Sequence, residues 1–267
     1  MNNIFVEGIQ GAGKSTLLNK LQKNRSDYKV YREGDLSPVE LSWCSYMTSV
    51  KFEEVCFQFK DIDAELRAHT VNDGSRKITA YTQILTDIPG FHKFMEQFEL
   101  YNGNVAFNQF KEVILKRYSK FNGMQSIFEC SFFQNSIECM MLYYQMTYDE
   151  IMEFYTEAYD VLRSKKFRLL YLNAIDIEST IDIIKRERTD QQGNEIWFTL
   201  MLQYLEKSPY GIKHNIKELS GLISHLEKRR EIELNVIDRI IGKEALVIEA
   251  KNYDINEIIA WCNNVNL

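Results

Sequence analysis

One glycine-rich stretch, between an apolar strand and an amphipathic helix, constrains the fold of this chain more than any other feature. Residues Gly8-Ile-Gln-Gly-Ala-Gly-Lys-Ser-Thr16 satisfy the pattern G-x-x-x-x-G-K-[ST], and we call residues 8–16 the glycine-rich loop. Ile-Phe-Val precedes it at residues 4–6, and Leu17, Leu18 and Leu21 follow it at helical spacing. A strand, a tight loop and a helix in this order predict an α/β fold.

The glycine-rich loop has the residue types that phosphate binding needs. Glycines let the backbone turn tightly, so that successive N–H groups point at phosphate oxygens, and the following helix adds the positive end of its dipole. We expect Lys14 to reach the β and γ phosphates, and Ser15 to bind Mg²⁺ through its hydroxyl group. The predicted nucleotide-binding residues are Gly8, Gly11, Ala12, Gly13, Lys14, Ser15 and Thr16.

Five short apolar runs, separated by stretches of helical character, indicate the strands of a sheet. They comprise residues 4–6, 28–31, 126–129, 169–172 and 245–248. Nearly continuous apolar runs suit strands that are buried on both faces, as in a parallel sheet covered by helices. With the glycine-rich loop, they predict a phosphate-loop NTPase fold with a five-stranded parallel sheet and helices on both faces.

The same pattern predicts a single domain over residues 1–267, with two helical inserts and a lid. The inserts lie at about 36–125 and 195–241, and an amphipathic helix near 254–262 closes the chain. The first insert is rich in aromatic residues, most of which we expect to pack in a core.

The composition argues against several classes of function. Acidic residues outnumber basic ones by 38 to 32, and the net charge of -6 gives no general attraction to a nucleic acid polymer or an anionic membrane. No run approaches 18 apolar residues and the N-terminus lacks the features of a signal peptide, so we expect a cytoplasmic protein. The five cysteines form no C-x-x-C pair, and we expect reduced thiols. The sequence leaves the oligomeric state open, and a homo-oligomer is one of the alternatives.

The glycine-rich loop, taken with the residue before it, resembles one group of phosphate-loop proteins. No Asn-Lys-x-Asp motif follows the loop, which disfavours a GTPase. With Glu7 before it and Gly11 in its middle, the loop is similar to that of the nucleoside and nucleotide kinases, in particular the thymidylate kinases. This resemblance covers about a dozen residues here and three short stretches elsewhere. It implies ATP-dependent phosphoryl transfer to a small-molecule acceptor, with ATP and Mg²⁺ as cofactors.

Residues 31–39 resemble the acceptor-binding stretch of the same kinases. Arg32-Glu33-Gly34-Asp35 is similar to the Arg-Glu-Pro-Gly of thymidylate kinases and the Glu-Pro of deoxynucleoside kinases. The resemblance implies that Glu33 accepts the proton of the acceptor hydroxyl group and that Arg32 holds an acceptor phosphate. Gly34 replaces the proline, which leaves Glu33 and Asp35 as rival bases and a solvated turn as the alternative.

Glu129, at the end of the third strand, is the second predicted Mg²⁺-binding residue, and we expect it to hold the ion through water. An acidic residue in this place has the form of the second metal-binding element of phosphate-loop enzymes, and a capping role is the alternative. The step also resembles the Asp-Arg or Glu-Arg of the kinase group, but Cys130 stands where the resemblance implies an arginine.

A basic helix end near residues 185–194 has the form of a lid. Arg186 and Arg188 come where the kinase group has paired arginines that close over the nucleotide, and a solvated helix end is the alternative. We expect Arg188, which is nearer the loop of residues 189–194, to contribute more. By contrast, residues 228–230, Lys-Arg-Arg, are interpreted as a solvated helix face.

The sequence thus predicts an ATP-dependent phosphotransferase whose acceptor is a nucleoside or nucleotide. The predicted catalytic residues are Lys14, Glu33, Arg186 and Arg188. Two alternatives stay open. One is a kinase of another small hydroxyl compound, such as an antibiotic, and the other is a nucleotide-dependent switch or binding protein that docks a protein partner on the first insert.

Overall fold

The computed structural model describes residues 2–190 and 192–263. Its strands, in chain order, are β1 Asn3–Glu7, β2 Lys29–Tyr31, β3 Ser45–Thr48, β4 Thr70–Asp73, β5 Arg76–Thr79, β6 Ser126–Glu129, β7 Phe167–Asn173 and β8 Ala245–Glu249. Its α-helices, in chain order, are α1 Lys14–Asn24, α2 Ser49–Gln58, α3 Asp63–Ala68, α4 Phe91–Glu96, α5 Phe107–Lys120, α6 Gln134–Leu142, α7 Tyr148–Leu162, α8 Ile177–Glu187, α9 Ile196–Lys207, α10 Pro209–Lys213, α11 Glu218–Val236 and α12 Ile255–Asn263. A π-helical turn, Ile237–Ile241, follows α11.

The chain forms two compact units. The first unit comprises residues 1–30 and 122–267, and the second comprises residues 31–121. The second unit therefore covers most of the first predicted insert, 36–125. The prediction that the whole chain is one domain stays a prediction.

A five-stranded sheet in the order β2-β6-β1-β7-β8 forms the centre of the first unit. The β1–β6, β1–β7 and β7–β8 pairs are parallel, and Phe5 of β1 lies opposite Phe128 of β6 and Leu169 of β7. All five apolar runs of the sequence lie in this sheet, which helices flank. The prediction of a five-stranded parallel sheet with flanking helices is confirmed.

The two faces of β1 pack against different layers, as the two-residue period of a strand requires. Ile4 and Val6 share a buried cluster with Leu17 and Leu21 of α1. On the alternate face, the ring of Phe5 lies 4.8 Å from that of Phe128 and 5.0 Å from that of Phe167. Because both faces are covered, the strand has no polar alternation, and it delivers its carboxyl end to the glycine-rich loop.

The second unit contains a three-stranded antiparallel sheet in the order β3-β5-β4, besides the helices α2 to α5. The first insert is therefore not purely helical. The β4–β5 hairpin turns at Gly74-Ser75, where Gly74 has φ +65°, as a two-residue hairpin turn requires. Its strands read Thr-Val-Asn-Asp and Arg-Lys-Ile-Thr, with Ile78 as the buried apolar residue of β5. Because these two strands bury so few apolar residues, their sequences show no clear alternation of apolar and polar residues.

Residues 195–241 contain α9, α10, α11 and the π-helical turn, with a non-helical connection at 214–217. The aromatic residues of the second unit are largely buried, among them Phe52, Tyr81 and Phe91. Phe57 is an exception, with 86% of its surface exposed. In the part of the chain that the structure describes, no helix is both long and apolar enough to cross a membrane. All five cysteines are free and buried.

Candidate functional site

The glycine-rich loop joins β1 to α1 at the carboxyl edge of the parallel sheet. Gly8, Gly11 and Gly13 all have positive φ, at +139°, +80° and +95°. Gly11 also lies close to α8, because a Cβ atom at this position would come within 2.3 Å of Ile184 Cδ1. No side chain other than hydrogen fits there, so this glycine is fixed both by its backbone conformation and by the helix beside it.

Lys14, the first residue of α1, is buried inside the loop. Its Nζ donates hydrogen bonds to the backbone oxygens of Gly8 (2.8 Å) and Ile9 (2.9 Å) and to Gln134 Oε1 (2.9 Å). These three bonds match the three N–H groups of an ammonium ion. All three acceptors are neutral, so they satisfy the N–H groups of the ammonium ion but do not neutralise its positive charge.

The N-terminus of α1 carries no negative charge of its own. Gly13 is its N-cap residue, no side chain caps it through a hydrogen bond, and its first turn contains no acidic residue. The first amides of a helix lack intrahelical partners and form the positive end of the dipole. This helix end and the ammonium group of Lys14 together offer positive charge to an anion.

Ser15 and Glu129, the two predicted Mg²⁺-binding residues, lie in contact. Ser15 Oγ donates a hydrogen bond to Glu129 Oε1 at 2.6 Å. Glu129 ends β6, and its position pairs with Val6 of β1, so the sheet register brings it beside the loop. Among the residues that the structure describes, no group of three or more histidine, cysteine or acidic side chains could hold a metal ion.

Glu7 is a second carboxyl group at the loop, and it is fully buried. It accepts hydrogen bonds from the backbone N–H groups of Phe132 (2.7 Å) and Gln134 (3.2 Å) at the start of α6. Burial, aided by the nearby charge of Glu233, raises the pKa of Glu7 to about 8, although those amides act in the opposite direction. Through its two hydrogen bonds, Glu7 ties the end of β1 to the start of α6.

A buried polar network lies between β7, α6 and α11. Tyr171 donates to Glu233 Oε2 (2.6 Å), and Glu233 Oε1 lies 3.1 Å from Arg229 Nε. Arg229 Nη1 in turn donates to Glu138 Oε1, and His225 Nε2 lies 2.7 Å from Glu138 Oε2. Burial would raise the pKa of Glu138, but the charges of His225 and Arg229 lower it to about 2.

The interpretation of residues 228–230 as a solvated face is wrong for Arg229. Lys228 is exposed and Arg230 is half-buried, but Arg229 has no exposed surface at all. The spacing of Leu222, Leu226 and Arg229 places all three on one face of α11, and that face is buried. The neighbours of Arg229 in the sequence are charged and give no sign of its burial. Its helical spacing from Leu222 and Leu226 was the signal that could have predicted it.

Arg186 and Arg188 lie at the end of α8, whose Ile184 packs against Gly11. Arg186 is exposed, and its Nε donates to the backbone oxygen of Asp182. Arg188 is also exposed, and its guanidinium group lies over the ring of Trp197 at 4.8 Å. Gln191, within the predicted lid, lies outside the described residues.

The segment after β8 lies beside the start of α1. A Cβ atom at Gly13 would lie 3.8 Å from Lys251 Cγ, and Lys20 Nζ lies 4.8 Å from the ring centre of Tyr253. Asn252 Nδ2 donates to Glu249 Oε2 at 3.1 Å.

In the second unit, residues 32–35 form a tight turn that Asp35 holds. Asp35 Oδ2 accepts from the backbone N–H of Arg32 (2.7 Å), and Oδ1 accepts from Gln83 Nε2 (3.0 Å). Gly34 has φ +87°, a value closed to proline, whose φ is fixed near −65°. The departure from the proline of the kinase pattern therefore follows from the shape of this turn.

Glu33 differs from Asp35 in its surroundings. Its Oε1 accepts a hydrogen bond from the indole Nε1 of Trp43 at 3.1 Å, and Trp43 is 50% exposed. Glu33 is only half-buried, so its carboxylate keeps access to solvent. It also contributes, after burial, to raising the pKa of Glu40 to about 7.

Two buried carboxyl groups of the second unit were not predicted from the sequence. Glu40 accepts hydrogen bonds from Ser42 and Tyr101, and Glu99 accepts one from Tyr81 (2.6 Å). Burial raises the pKa of Glu99 to about 8. No local pattern marks these residues, and each accepts a hydrogen bond from a tyrosine that is distant in sequence, 61 residues away for Glu40 and 18 for Glu99.

Comparison with known proteins adds no assignment. No protein-family model matches this chain, and no curated protein matches it either.

Proposed function

We propose that this protein is an ATP-dependent phosphotransferase that acts on a small molecule, with a nucleoside or nucleotide as its acceptor. The observation that carries the proposal is the contact between Ser15 and Glu129 beside the buried ammonium group of Lys14. A hydroxyl group and a carboxylate next to an uncapped helix end form a donor set that suits a magnesium nucleotide.

The residues present fit the triphosphate of ATP. The positive end of α1 and the backbone of the glycine-rich loop would hold phosphate oxygens, and Lys14 would exchange at least one neutral acceptor for a phosphate oxygen. A charge-assisted hydrogen bond is stronger than the neutral one that it replaces, so this exchange favours binding. Bound Mg²⁺ would neutralise phosphate charge. Ser15 would hold it directly and Glu129 through water, and phosphates and further water would supply its other ligands.

On the acceptor side, we assign the general base to Glu33 rather than Asp35. Both carboxylate oxygens of Asp35 already hold the turn, through Arg32 and Gln83. Glu33 is half-buried and hydrogen bonded to an exposed indole ring, which offers a flat apolar surface for a planar acceptor. Loss of a proton from an acceptor hydroxyl group to Glu33 would generate the nucleophile.

Arg186 and Arg188 are the candidates for closing the site. Their helix, α8, contacts the loop at Gly11, so a movement of the helix end changes the surroundings of the phosphates. Arginine suits this role because its planar guanidinium group can bind two phosphate oxygens at once. The protein would act in the cytoplasm on a small acceptor, without a nucleic acid polymer or a membrane.

One feature of the second unit favours a different function, that of a nucleotide-dependent switch that docks a protein partner. Val50 and Phe57 lie two turns apart on one face of α2, with 72% and 86% of their surfaces exposed. Exposed apolar side chains are common singly, and a docking surface needs a larger continuous patch. The kinase therefore remains the preferred proposal.

The test is ATP consumption by the purified protein with a panel of nucleosides, nucleotides and aminoglycoside-like alcohols. The proposal expects one acceptor class to raise ATP consumption well above the rate without an acceptor. Slow hydrolysis that no acceptor changes would favour the switch. Absence of ATP binding would refute both functions.

A further inference from the structure

We propose that Arg229 is a positioning residue that holds the glycine-rich loop through Gln10 and so sets the affinity for nucleotide. The proposal rests on the function proposed above and adds a residue to the same site. It arises from a contact between α11 and the loop that no motif in the sequence indicates.

The contact joins residues that lie far apart in the chain. Arg229 Nη1 donates to Gln10 Oε1 at 2.8 Å, over a separation of 219 residues. Gln10 lies in the loop between Ile9, whose backbone oxygen accepts from Lys14, and the close contact at Gly11. A fixed Gln10 therefore limits the movement of the backbone that positions Lys14.

The guanidinium group is itself held on two sides. Arg229 is fully buried, its Nη1 also donates to Glu138 of α6, and its Nε lies 3.1 Å from Glu233, four residues later on α11. Two carboxyl groups oppose one positive charge, which leaves the arginine little freedom to turn away from Gln10.

Helix α6 controls the loop at two points. Gln134 and Glu138 are four residues apart and so lie on one face of α6. Gln134 accepts from Lys14, and Glu138 fixes the guanidinium group that donates to Gln10. The loop is therefore attached at Gln10 and at Lys14, which flank the sharp turn at residues 11–13.

Stability alone is a poor explanation of this network. A buried ion pair loses much of its attraction to desolvation, and apolar side chains of similar volume often stabilise a protein as well or better. In addition, Arg229 Nη2 and His225 Nδ1 are buried without a hydrogen-bond partner among the described residues. A network with these energetic costs suggests that its charged groups have a role besides stability. The hydrogen bond from Arg229 to Gln10 offers such a role.

The role follows from the entropy of binding. A loop that is already ordered loses less conformational freedom when phosphate binds, so the affinity is higher. Removing the bond between Arg229 and Gln10 should free residues 8–13 in the nucleotide-free protein. The affinity for nucleotide should fall, while the melting temperature should change little because Gln10 is only half-buried and Arg229 keeps its contacts with Glu138 and Glu233.

The experiment uses Gln10→Ala in the full chain, with binding of a non-hydrolysable magnesium ATP analogue and amide hydrogen exchange as readouts. We expect the dissociation constant to rise about tenfold, the lower range for losing one hydrogen bond to a charged group. Exchange of residues 8–13 should become faster without nucleotide. Lys228→Ala is the matched control, since Lys228 is the exposed neighbour of Arg229 and should change neither readout.

Two further variants separate positioning from general damage. Gln10→Glu keeps a hydrogen-bond acceptor for Arg229, so amide exchange of residues 8–13 should be as slow as in the wild-type protein. Its negative charge repels phosphate, so the affinity for nucleotide should stay low. Arg229→Lys should weaken binding, and the double variant with Gln10→Ala should bind no more weakly than the weaker single variant. If Arg229→Lys fails to fold, the Gln10 variants still decide.

An unchanged dissociation constant with unchanged exchange in Gln10→Ala would overturn the proposal, as would additive effects in the double variant. Either result would leave the proposed function intact, because the wild-type protein would still bind the analogue. If the wild-type protein and Lys228→Ala both fail to bind it, the proposed function fails and the role of Arg229 fails with it.

Discussion

Ser15 Oγ donates a 2.6 Å hydrogen bond to Glu129 Oε1, although the two residues are separated by 114 positions in the chain. The contact depends on the sheet, because β6 pairs with β1 and places Glu129 opposite Val6, two residues before the loop. A hydroxyl group on the first turn of a helix and a carboxylate at a strand end thus share one edge of the sheet. This geometry supports the proposal that Ser15 and Glu129 act together in binding Mg²⁺.

Mg²⁺ should strengthen nucleotide binding, and that effect should depend on Ser15 and Glu129. In Ser15→Ala and Glu129→Gln, we expect most of the difference between ATP affinity with Mg²⁺ and with EDTA to disappear, because the first variant removes an oxygen ligand and the second removes the negative charge beside it. Isothermal titration of both forms measures it. Ser26→Ala, an exposed serine outside the loop, serves as the control. A full Mg²⁺ effect in both variants would remove the metal role from this pair.

Lys14 should be required for tight binding of ATP. Lys14→Ala removes a charge-assisted phosphate contact of about 1.5 to 3 kcal/mol, so the dissociation constant should rise about tenfold or more. Lys23→Ala is the control, since Lys23 is exposed in the last turn of the same helix. If a folded Lys14→Ala protein bound ATP as tightly as this control, the loop would not be a phosphate-binding loop.

The parts of the fold that local sequence patterns determine could be predicted. The five strands of the central sheet and the helix after the loop depend on apolar spacing within a few residues, and all were found where the sequence placed them. The β4–β5 hairpin was missed because its strands bury few apolar side chains, although Asp73-Gly74 is a turn signal. Local periodicity predicts an element only when one of its faces is clearly apolar.

Within the candidate site, the loop residues could be predicted, but the partners that hold them could not. The contact of Lys14 with Gln134 crosses 120 residues, and that of Arg229 with Glu138 crosses 91. Arg229 stands between charged neighbours, and only the helices packed around α11 bury it. Burial of a charged side chain is a tertiary property, so a solvated interpretation of residues 228–230 was natural from sequence and wrong for Arg229.

Glu33 should act on the acceptor rather than on ATP. Glu33→Gln is nearly isosteric, so it should leave ATP affinity roughly unchanged and lower turnover by about 10² to 10⁴, the range for loss of a general base. Steady-state kinetics with the acceptor found in the panel measures this. Asp35→Ala should instead lower the melting temperature, because it removes the two hydrogen bonds that hold the turn. A loss of turnover in Asp35→Asn that Glu33→Gln does not share would move the base to Asp35.

Three buried carboxyl groups should make the protein less stable as the pH rises from about 5 to about 8. Burial raises the pKa values of Glu7 and Glu99 to about 8 and that of Glu40 to about 7, from an ordinary value of 4.5. Each group binds its proton more tightly in the folded state. Its stabilising contribution is therefore complete below pH 4.5 and is lost as the pH rises through the folded pKa. Each can lower the free energy of unfolding by at most about 1.4 kcal/mol per pH unit.

Melting temperatures between pH 5 and 8.5 check this prediction. Glu7→Gln should flatten the decrease, whereas Glu150→Gln, at an exposed helix cap with a lowered pKa, should leave the slope unchanged in this range. The effect of Glu138 on stability has the opposite pH dependence, because its pKa is lowered to about 2. Its stabilising contribution is lost as the pH falls from 4.5 toward 2. A melting temperature that rises from pH 5 to 8, with the same slope in Glu7→Gln, would contradict the raised pKa values of these groups.

Arg188 should contribute to the chemical step more than to nucleotide binding. Its guanidinium group lies over the ring of Trp197, and a movement of the arginine toward a phosphate would change that contact. If the arginine makes this movement only when the site closes, its contact with the phosphate exists mainly in the transition state. Arg188→Ala should then lower kcat by about tenfold or more and change ATP affinity little, and Arg186→Ala should have a smaller effect. Helix α8 ends at Glu187, and Arg188 is its C-cap residue with a non-helical backbone, so the two arginines take different directions from the helix end.

Trp197 also provides an optical test of that movement. The chain has three tryptophans, so the signal of Trp197 is taken as the difference between the full chain and Trp197→Phe. Its fluorescence should change when an ATP analogue and the acceptor are both bound, because the positive charge leaves the ring face, and Arg188→Ala should abolish that change. Residues 185–194 should at the same time exchange amide hydrogens more slowly. Equal, small kinetic effects of both arginine variants, with constant Trp197 fluorescence, would make this segment a solvated helix end and leave charge neutralisation to Lys14 and Mg²⁺.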